Sequence, residues 1–139
     1  MLSRRTLLLS LSALSVAACG AAPHDWAGVR LGMSVTDVRD RFQPGGPGAW
    51  TSAQEPEPVL RWVATDAGAP IRRAQFEVHK GMLVALTLGG SAFQTGPRLE
   101  LTRASVAARR EAADGPEVRV ISRECETHRA EVGRVLSGN

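Results

Sequence analysis

The sequence has few of the residues on which many binding and redox proteins depend. Its 139 residues include no tyrosine, 4% aromatic residues and only two cysteines. So few aromatic side chains leave little material for platforms that stack on bases or sugars. Two cysteines cannot form a disulfide framework. These scarcities exclude the disulfide-rich secreted class and disfavour recognition by aromatic stacking.

Excess charge of one sign is also nearly absent. The formal net charge is +3, but Arg4 and Arg5 lie in a leader segment, which leaves fifteen basic against fourteen acidic residues. Long-range attraction to nucleic acid requires a far more basic chain. We therefore expect no nucleic-acid partner.

The first nineteen residues have the pattern of an export signal. Arg4 and Arg5 precede an uncharged stretch at residues 6–18, which is shorter than the roughly 20 residues of a spanning helix but typical of a signal peptide. The stretch ends Val-Ala-Ala before Cys19, which resembles a bacterial lipobox. That resemblance implies a diacylglycerol thioether and an acyl group such as palmitate on Cys19. An ordinary secretory leader is the alternative.

The residues around Cys19 also predict a location. By resemblance to Gram-negative lipoproteins, Gly20 in place of Asp favours the outer membrane, facing the periplasm. Several acyl chains at Cys19 would anchor the chain firmly in the lipid bilayer. We expect a signal peptide at 1–18, a lipidated tether at 19–27 and a single domain at 28–139. A twin-arginine-like run at residues 3–8 leaves the export route open.

Two segments carry the signals of capped helices. Ser34 is followed three residues later by Asp37, as in a capping box, and the segment from Val35 to Phe42 has one apolar face. The segment Leu99–Arg109 repeats this pattern and predicts a second helix that continues to about residue 113. An internal repeat is one interpretation, and two independent capped helices are the other.

Alternating or continuous apolar runs predict strands at residues 59–65, 71–78, 82–88 and 118–122. A three-residue loop at 79–81 keeps one apolar face by pairing Val78 with Met82. A final helix is expected from Ser122 or Thr127 to about Leu136. The predicted fold class is α+β, with a small antiparallel sheet of about three to four strands and helices packed on one face.

The lipobox, the Leu-Gly-Met-Ser helix start at residues 31–34 and the glycine-containing hairpin together resemble the BamE/SmpA-like lipoproteins. The wider fold resembles β-lactamase-inhibitor and PepSY-like domains. The resemblance covers about residues 28–90. It implies a non-catalytic, membrane-anchored binding or scaffold domain.

One local combination could carry chemistry. Cys125 and His128 are three residues apart on a predicted helix and so face the same way. A thiol beside an imidazole could be a nucleophile. Packing is the favoured interpretation, because cysteine is a common buried residue, and a thiol enzyme is the alternative. His24, His79 and His128 share no metal-ligand spacing, and no cofactor is expected.

The remaining candidates concern binding. Arg73, Gln75 and Glu77 alternate with apolar residues and so share the solvated face of one strand. Trp50 is a candidate anchor for a protein partner. We therefore expect not an enzyme but a membrane-anchored periplasmic lipoprotein that binds a protein or another component of the cell envelope. A soluble, secreted, inhibitor-like binding domain is the alternative.

Overall fold

The computed structural model describes residues 25–53 and 57–138. The predicted signal peptide, Cys19 and residues 19–24 of the predicted tether lie outside the described residues. Within these residues, the fold is one antiparallel sheet with short helices on both of its faces.

The sheet has seven strands in the spatial order β1-β2-β3-β4-β7-β6-β5, and all its neighbours pair antiparallel. The strands are β1 (Gly48–Ala53), β2 (Val59–Ala64), β3 (Arg73–His79), β4 (Met82–Gly89), β5 (Leu99–Leu101), β6 (Ser105–Ala112) and β7 (Gly115–Ser122). β7 pairs with β4, so β6 and β5 extend the sheet beyond the β1–β4 meander. β1, with six residues, and β5, with three, form the two edges.

Two α-helices and two 3₁₀ turns accompany the sheet in the described part of the chain. The helices are α1 (Val35–Arg41) and α2 (Arg129–Ser137), and the 3₁₀ turns are Ser91–Phe93 and Glu126–His128. The Ser34 hydroxyl accepts a 3.2 Å hydrogen bond from the Asp37 backbone N–H. The predicted cap of α1 is therefore confirmed.

One face of the sheet, here called the core face, carries the main hydrophobic core. Leu60 pairs with Phe76, Phe76 with Leu86, and Leu86 with Val120, so these side chains form one continuous row across four strands. All four are at most 1% exposed. Val38 of α1 and the segment before it close over this row.

The opposite face, here called the polar face, is only partly covered. Val132 of α2 packs against Ala85, Val106 and Ile121 at the β4–β7–β6 end. The rest of this face, from β2 to the ends of β3, β6 and β7 that carry Arg73, Arg110 and Glu117, is not covered by a described helix. α2 thus divides the polar face into a covered half and an open half.

The predicted fold class is wrong. The sheet has seven strands rather than three to four, and the helices do not all pack on one face. The predicted second helix is strand β6, which pairs with β7 along its whole length and with β5. Its Ala-Ala-Arg-Arg-Glu-Ala run has high helix propensity, but the ladder bonds on both sides and the burial of Val106 override that local preference.

The internal repeat fails for the same reason, because its first copy is the helix α1 and its second is β5 and β6. Strand β1 was not predicted. Its sequence Gly-Ala-Trp-Thr-Ser-Ala has only two residues with strong β-propensity. Pairing with β2 stabilises it instead.

The β3–β4 hairpin is also tighter than predicted. His79 pairs with Met82, which leaves the two-residue turn Lys80-Gly81 with positive φ at both positions, as a type I′ turn requires. A bulge at Glu77/Val78 then shifts the register so that Val78 faces Leu83 rather than Met82. The bulge adds one unpaired residue to β4 between Leu83 and Ala85, which restores a single apolar face. The alternation pattern alone does not predict this extra residue.

Candidate functional site

The covered half of the polar face is organised around a buried arginine. Arg119 of β7 is 7% exposed and lies beside Thr87, whose hydroxyl accepts from Nη1 at 3.2 Å. Its Nε and Nη2 donate to the two carboxylate oxygens of Glu131 in α2, both at 2.9 Å. The guanidinium also donates to Glu77 of β3. Arg119 of β7 is therefore bonded to two further strands, β3 and β4, and to the helix above them.

Each charge in this group is stabilised by its partners. Burial lowers the pKa of Arg119, but the hydrogen bonds to Glu131 and Glu77 outweigh it and raise the pKa above its ordinary range. Burial raises the pKa of Glu77, but the contacts with Arg119 and His128 lower it by more, so the net pKa lies below the ordinary value. The hydrogen bond from Arg119 lowers the pKa of Glu131. Because the charged forms are favoured, these groups stay ionised at neutral pH.

A second chain of contacts extends from Glu77 to the thiol. Nε2 of His128 lies 3.1 Å from Oε1 of Glu77, and Nδ1 of the same ring lies 3.4 Å from Sγ of Cys125. We call Cys125, His128 and Glu77 the thiol relay. Cys125 directly precedes the 3₁₀ turn Glu126–His128, and His128 is the last residue of that turn. Strand β3 supplies the third member.

Burial and hydrogen bonding act in opposite directions within the thiol relay. Burial raises the pKa of the Cys125 thiol, but hydrogen bonds involving His128 and Thr127 lower it by more. The net pKa therefore lies below the ordinary value. Burial lowers the pKa of His128, but its contacts with Cys125 and Glu77 raise it overall. Both shifts favour a thiolate beside an imidazolium.

The open half of the polar face contains a groove lined by arginines. This arginine groove has a volume of about 350 Å³ and includes three arginines and one acidic residue. Its polar lining residues are Arg61, Arg73, Gln75, Thr87, Arg110 and Glu117. Val63, which is 59% exposed, lies at its edge on β2.

Hydrogen bonds hold the arginine groove in shape. Nη2 of Arg73 donates to Glu117 at 2.6 Å, and Arg110 donates to the other oxygen of the same carboxylate. Arg73 also makes a two-pronged contact with Asp114 at 2.7 and 2.9 Å. Nε of Arg61 donates to Gln75 at 3.2 Å. Glu117 is 5% exposed, so it forms the base on which two guanidinium groups rest.

The structure separates the four residues predicted to bind a partner. Arg73 and Gln75 line the arginine groove, whereas Glu77 lies in the covered half, bonded to Arg119 and His128. Trp50 lies on the core face, with its ring 5.6 Å from that of Phe42. The alternation correctly placed the first three on one face, but α2 divides them between two environments.

Sequence reasoning missed Arg119 and Glu131, which complete the ion-pair group of the covered half. Arg119 alternates with Val118 and Val120 in β7, which was a signal that its side chain lies on the polar face. Glu131 follows His128 by three residues, a helical spacing that was a second signal. Neither signal reveals the contact with Glu77, because Glu77 and His128 are 51 residues apart in sequence.

Three further results bear on function. Among the described residues, no group of three or more His, Cys, Asp or Glu side chains has an arrangement that could hold a metal ion. In the same part of the chain, no helix has the length and apolar character needed to cross a membrane. Searches of protein-family models, curated proteins and solved structures found no match to this chain.

Proposed function

We propose that the protein is a lipid-anchored envelope lipoprotein that binds, without catalysis, an acidic extended segment of another envelope protein through the arginine groove. The lipobox at Cys19 supports the anchor. The described residues begin at residue 25, six residues after Cys19, and a chain spans at most about 3.5 Å per residue. An acylated Cys19 would therefore keep the domain within about 20 Å of the bilayer.

The observation that carries the proposal is the exposed, pre-organised set of guanidinium groups. Arg61 and Arg110 are exposed, and Arg73 is held in place by Asp114 and Glu117. Guanidinium groups bind carboxylates through paired hydrogen bonds. Three arginines face two carboxylates, Glu117 in the lining and Asp114 beside Arg73, and within the described part of the chain Arg61 bonds only to the neutral Gln75. The remaining positive charge favours an acidic partner over a basic one.

The neighbouring strand favours an extended partner. Edge strand β1 carries no charged side chain, and four of its six residues are exposed. Protected edges usually carry a lysine, a proline or a covering element. An uncharged edge can accept a partner strand through backbone hydrogen bonds. β1 and the groove are adjacent because β1 pairs with β2, which carries Arg61 and Val63.

Site-specific photocrosslinking in native membranes tests the binding surface. Benzoylphenylalanine would replace Val63 at the groove or, as the control, Leu101, which is 51% exposed on the opposite edge strand. We expect one discrete envelope-protein adduct from position 63, reduced at least about tenfold by Arg61→Glu with Arg110→Glu, and none from position 101. An acidic synthetic peptide from the crosslinked segment should then bind the purified chain in a salt-sensitive manner.

Several results would overturn this proposal. They are equal adducts from both positions, an adduct unaffected by charge reversal, a crosslink to a second copy of the same chain, or a crosslink to lipid alone.

Membrane fractionation tests the anchor separately. Cys19→Ser should move the protein from the membrane fraction to the soluble fraction, because the acylated thioether cannot form. Intact mass spectrometry of the wild-type chain should show Cys19 as the first residue, with added acyl mass. Retention of the serine variant in the membrane, or an unmodified chain that starts beyond Cys19, would contradict lipid anchoring.

A further inference from the structure

We infer that Cys125 is a nucleophilic thiol that reacts with disulfides and retains the product as a mixed disulfide. The inference rests on the thiol relay and is independent of the arginine groove. It assigns a chemical role to a cysteine whose spacing from His128 is also compatible with simple packing.

Three groups lie in the order that thiol activation requires. The sulfur contacts one nitrogen of His128 at 3.4 Å, and the other nitrogen contacts the Glu77 carboxylate at 3.1 Å. The carboxylate orients the ring and favours its protonated form, and the ring in turn can take the thiol proton. This arrangement matches the general pattern of a nucleophile, a base and a group that orients the base.

The carboxylate at the end of the relay is itself fixed. Arg119 holds Glu77 from the opposite side and is bonded to Glu131. The charged groups around the imidazole are therefore Glu77 from β3, Arg119 from β7 and Glu131 from α2. Two carboxylates and one guanidinium give this group one net negative charge next to His128. That charge favours the imidazolium form of the ring.

Packing alone does not explain this arrangement. A cysteine that only fills space needs apolar neighbours and is inert, whereas Cys125 contacts a titratable ring connected to a buried ion-pair network. Cys125 is buried, with 8% of its residue surface exposed, so a reagent must be small to reach its sulfur in the folded protein. A small reagent can reach such a position more readily than a protein-sized one.

The reaction balances without another cofactor. The Cys125 thiol gives its proton to His128, and the thiolate attacks one sulfur of a disulfide R–S–S–R′. A new bond forms between Cys125 and R–S, the original S–S bond breaks, and its electron pair leaves on R′–S⁻. That thiolate takes up the proton from His128 or from water.

The product should persist because the chain offers little to resolve it. Its other cysteine is Cys19, the predicted site of lipidation. With no second thiol close in sequence, the mixed disulfide awaits an external thiol. The expected behaviour is stoichiometric capture of a thiol compound rather than turnover.

The test uses the purified full chain in detergent and 4,4′-dithiodipyridine, a small uncharged disulfide. Release of pyridinethione would be followed from pH 5 to 9, with Cys125→Ser as the background. We expect the native chain to react with a thiolate titration below the ordinary cysteine pKa of about 8.5. His128→Gln should slow the reaction several-fold at pH 6.5, and Glu77→Gln should slow it less, because it leaves the imidazole in place.

His79→Gln is the matched control. His79 also lies on β3 beside a carboxylate, 3.2 Å from Glu57, but it is not part of the thiol relay. Its substitution should leave the rate unchanged. Equal slowing by both histidine variants would overturn the inference, as would a native thiol that reacts only in denaturant.

A measurement on the wild-type chain covers the case in which His128→Gln fails to fold. Thiolate absorbance at 240 nm, measured as the difference between wild type and Cys125→Ser, should develop at a lower pH than in the urea-unfolded chain. Coincident titrations in the folded and unfolded chains would refute an activated thiol.

Discussion

Arg119 shows how a single side chain can determine the structure of a region. It is buried, yet it has carboxylate partners on two elements and a hydroxyl on a third. Replacing a buried ion pair with apolar groups can be neutral, whereas removing one partner leaves the other charges buried and unpaired. The cost of losing Arg119 is therefore set mainly by the two carboxylates that would remain.

Arg119→Met should lower the free energy of unfolding by about 3–5 kcal/mol. Arg61→Met is the control, because exposed Arg61 makes a single hydrogen bond to Gln75, and it should cost no more than about 1.5 kcal/mol. Urea unfolding followed by circular dichroism measures both values. Equal costs would show that Glu77 and Glu131 find other partners or become solvated.

At the scale of elements, α2 is a short helix fixed at few points. Val132 contacts Ala85, Val106 and Ile121, and Glu131 bonds to Arg119. The helix ends at Ser137 and is capped by Gly138, which adopts the left-handed conformation with φ of 79°, as is common at helix ends. The attachment of α2 thus depends on buried Val132, on partly buried Val135, which packs against the same cluster, and on the charged residue Glu131.

Val132→Ala should destabilise the protein by about 2 kcal/mol, because two buried methyl groups are lost and a small cavity remains. Leu136→Ala provides the contrast, since Leu136 is 42% exposed and should cost no more than about 1 kcal/mol. Amide hydrogen exchange in α2 should accelerate in the first variant more than in the second. Equal acceleration would place the docking contact elsewhere on the helix.

The elements that local sequence could identify are those whose local and tertiary preferences agree. The α1 cap, the alternation in β3 and the apolar run in β7 are examples. The predicted C-terminal helix matches α2 within a few residues for the start at Thr127, whereas the start at Ser122 is wrong because Ser122 is the last residue of β7. β6 failed because its helix-forming residues are held in a strand by partners on both sides. Strand pairings far apart in sequence cannot be inferred from local propensity.

The same reasoning explains what was predictable in the candidate sites. The spacing of Cys125 and His128 placed them together, and the alternation in β3 placed Glu77 on the polar face. The contact between these two parts depends on β7 inserting beside β4 and on α2 folding back over the sheet. Neither event has a local signature, so the thiol relay could not be assembled from the sequence.

At the scale of the whole molecule, ion pairs on the polar face connect distant parts of the chain. Arg119 joins β3, β7 and α2, and Arg73 joins β3 to the β6–β7 turn and β7. The apolar core lies mainly on the other face. The two faces therefore contribute different kinds of stability, and only that of the polar face should depend strongly on pH.

The lowered pKa values of three carboxyl groups determine how the free energy of unfolding changes with pH. Glu77, Glu117 and Glu131 all have pKa values below normal in the folded protein. A depressed carboxyl pKa adds stability that is complete above the unfolded value, about 4.3 for glutamate, and is lost as the pH falls through the folded pKa. The free energy of unfolding should therefore fall steadily with decreasing pH below about 4.3.

Urea unfolding from pH 7 to pH 2.5 measures this loss for the wild type and for Glu131→Gln. The variant should be less stable at neutral pH, because Arg119 loses one carboxylate, but its stability should fall less steeply in acid, because one titrating group is gone. Glu111→Gln, at an exposed position on β6, should retain the steep acid dependence of the wild type. If Glu131→Gln were to lose stability in acid as steeply as the wild type, the ion pairs of α2 would not account for the acid sensitivity. The apolar contacts of Val132 and Val135 would then be the main attachment of the helix at every pH.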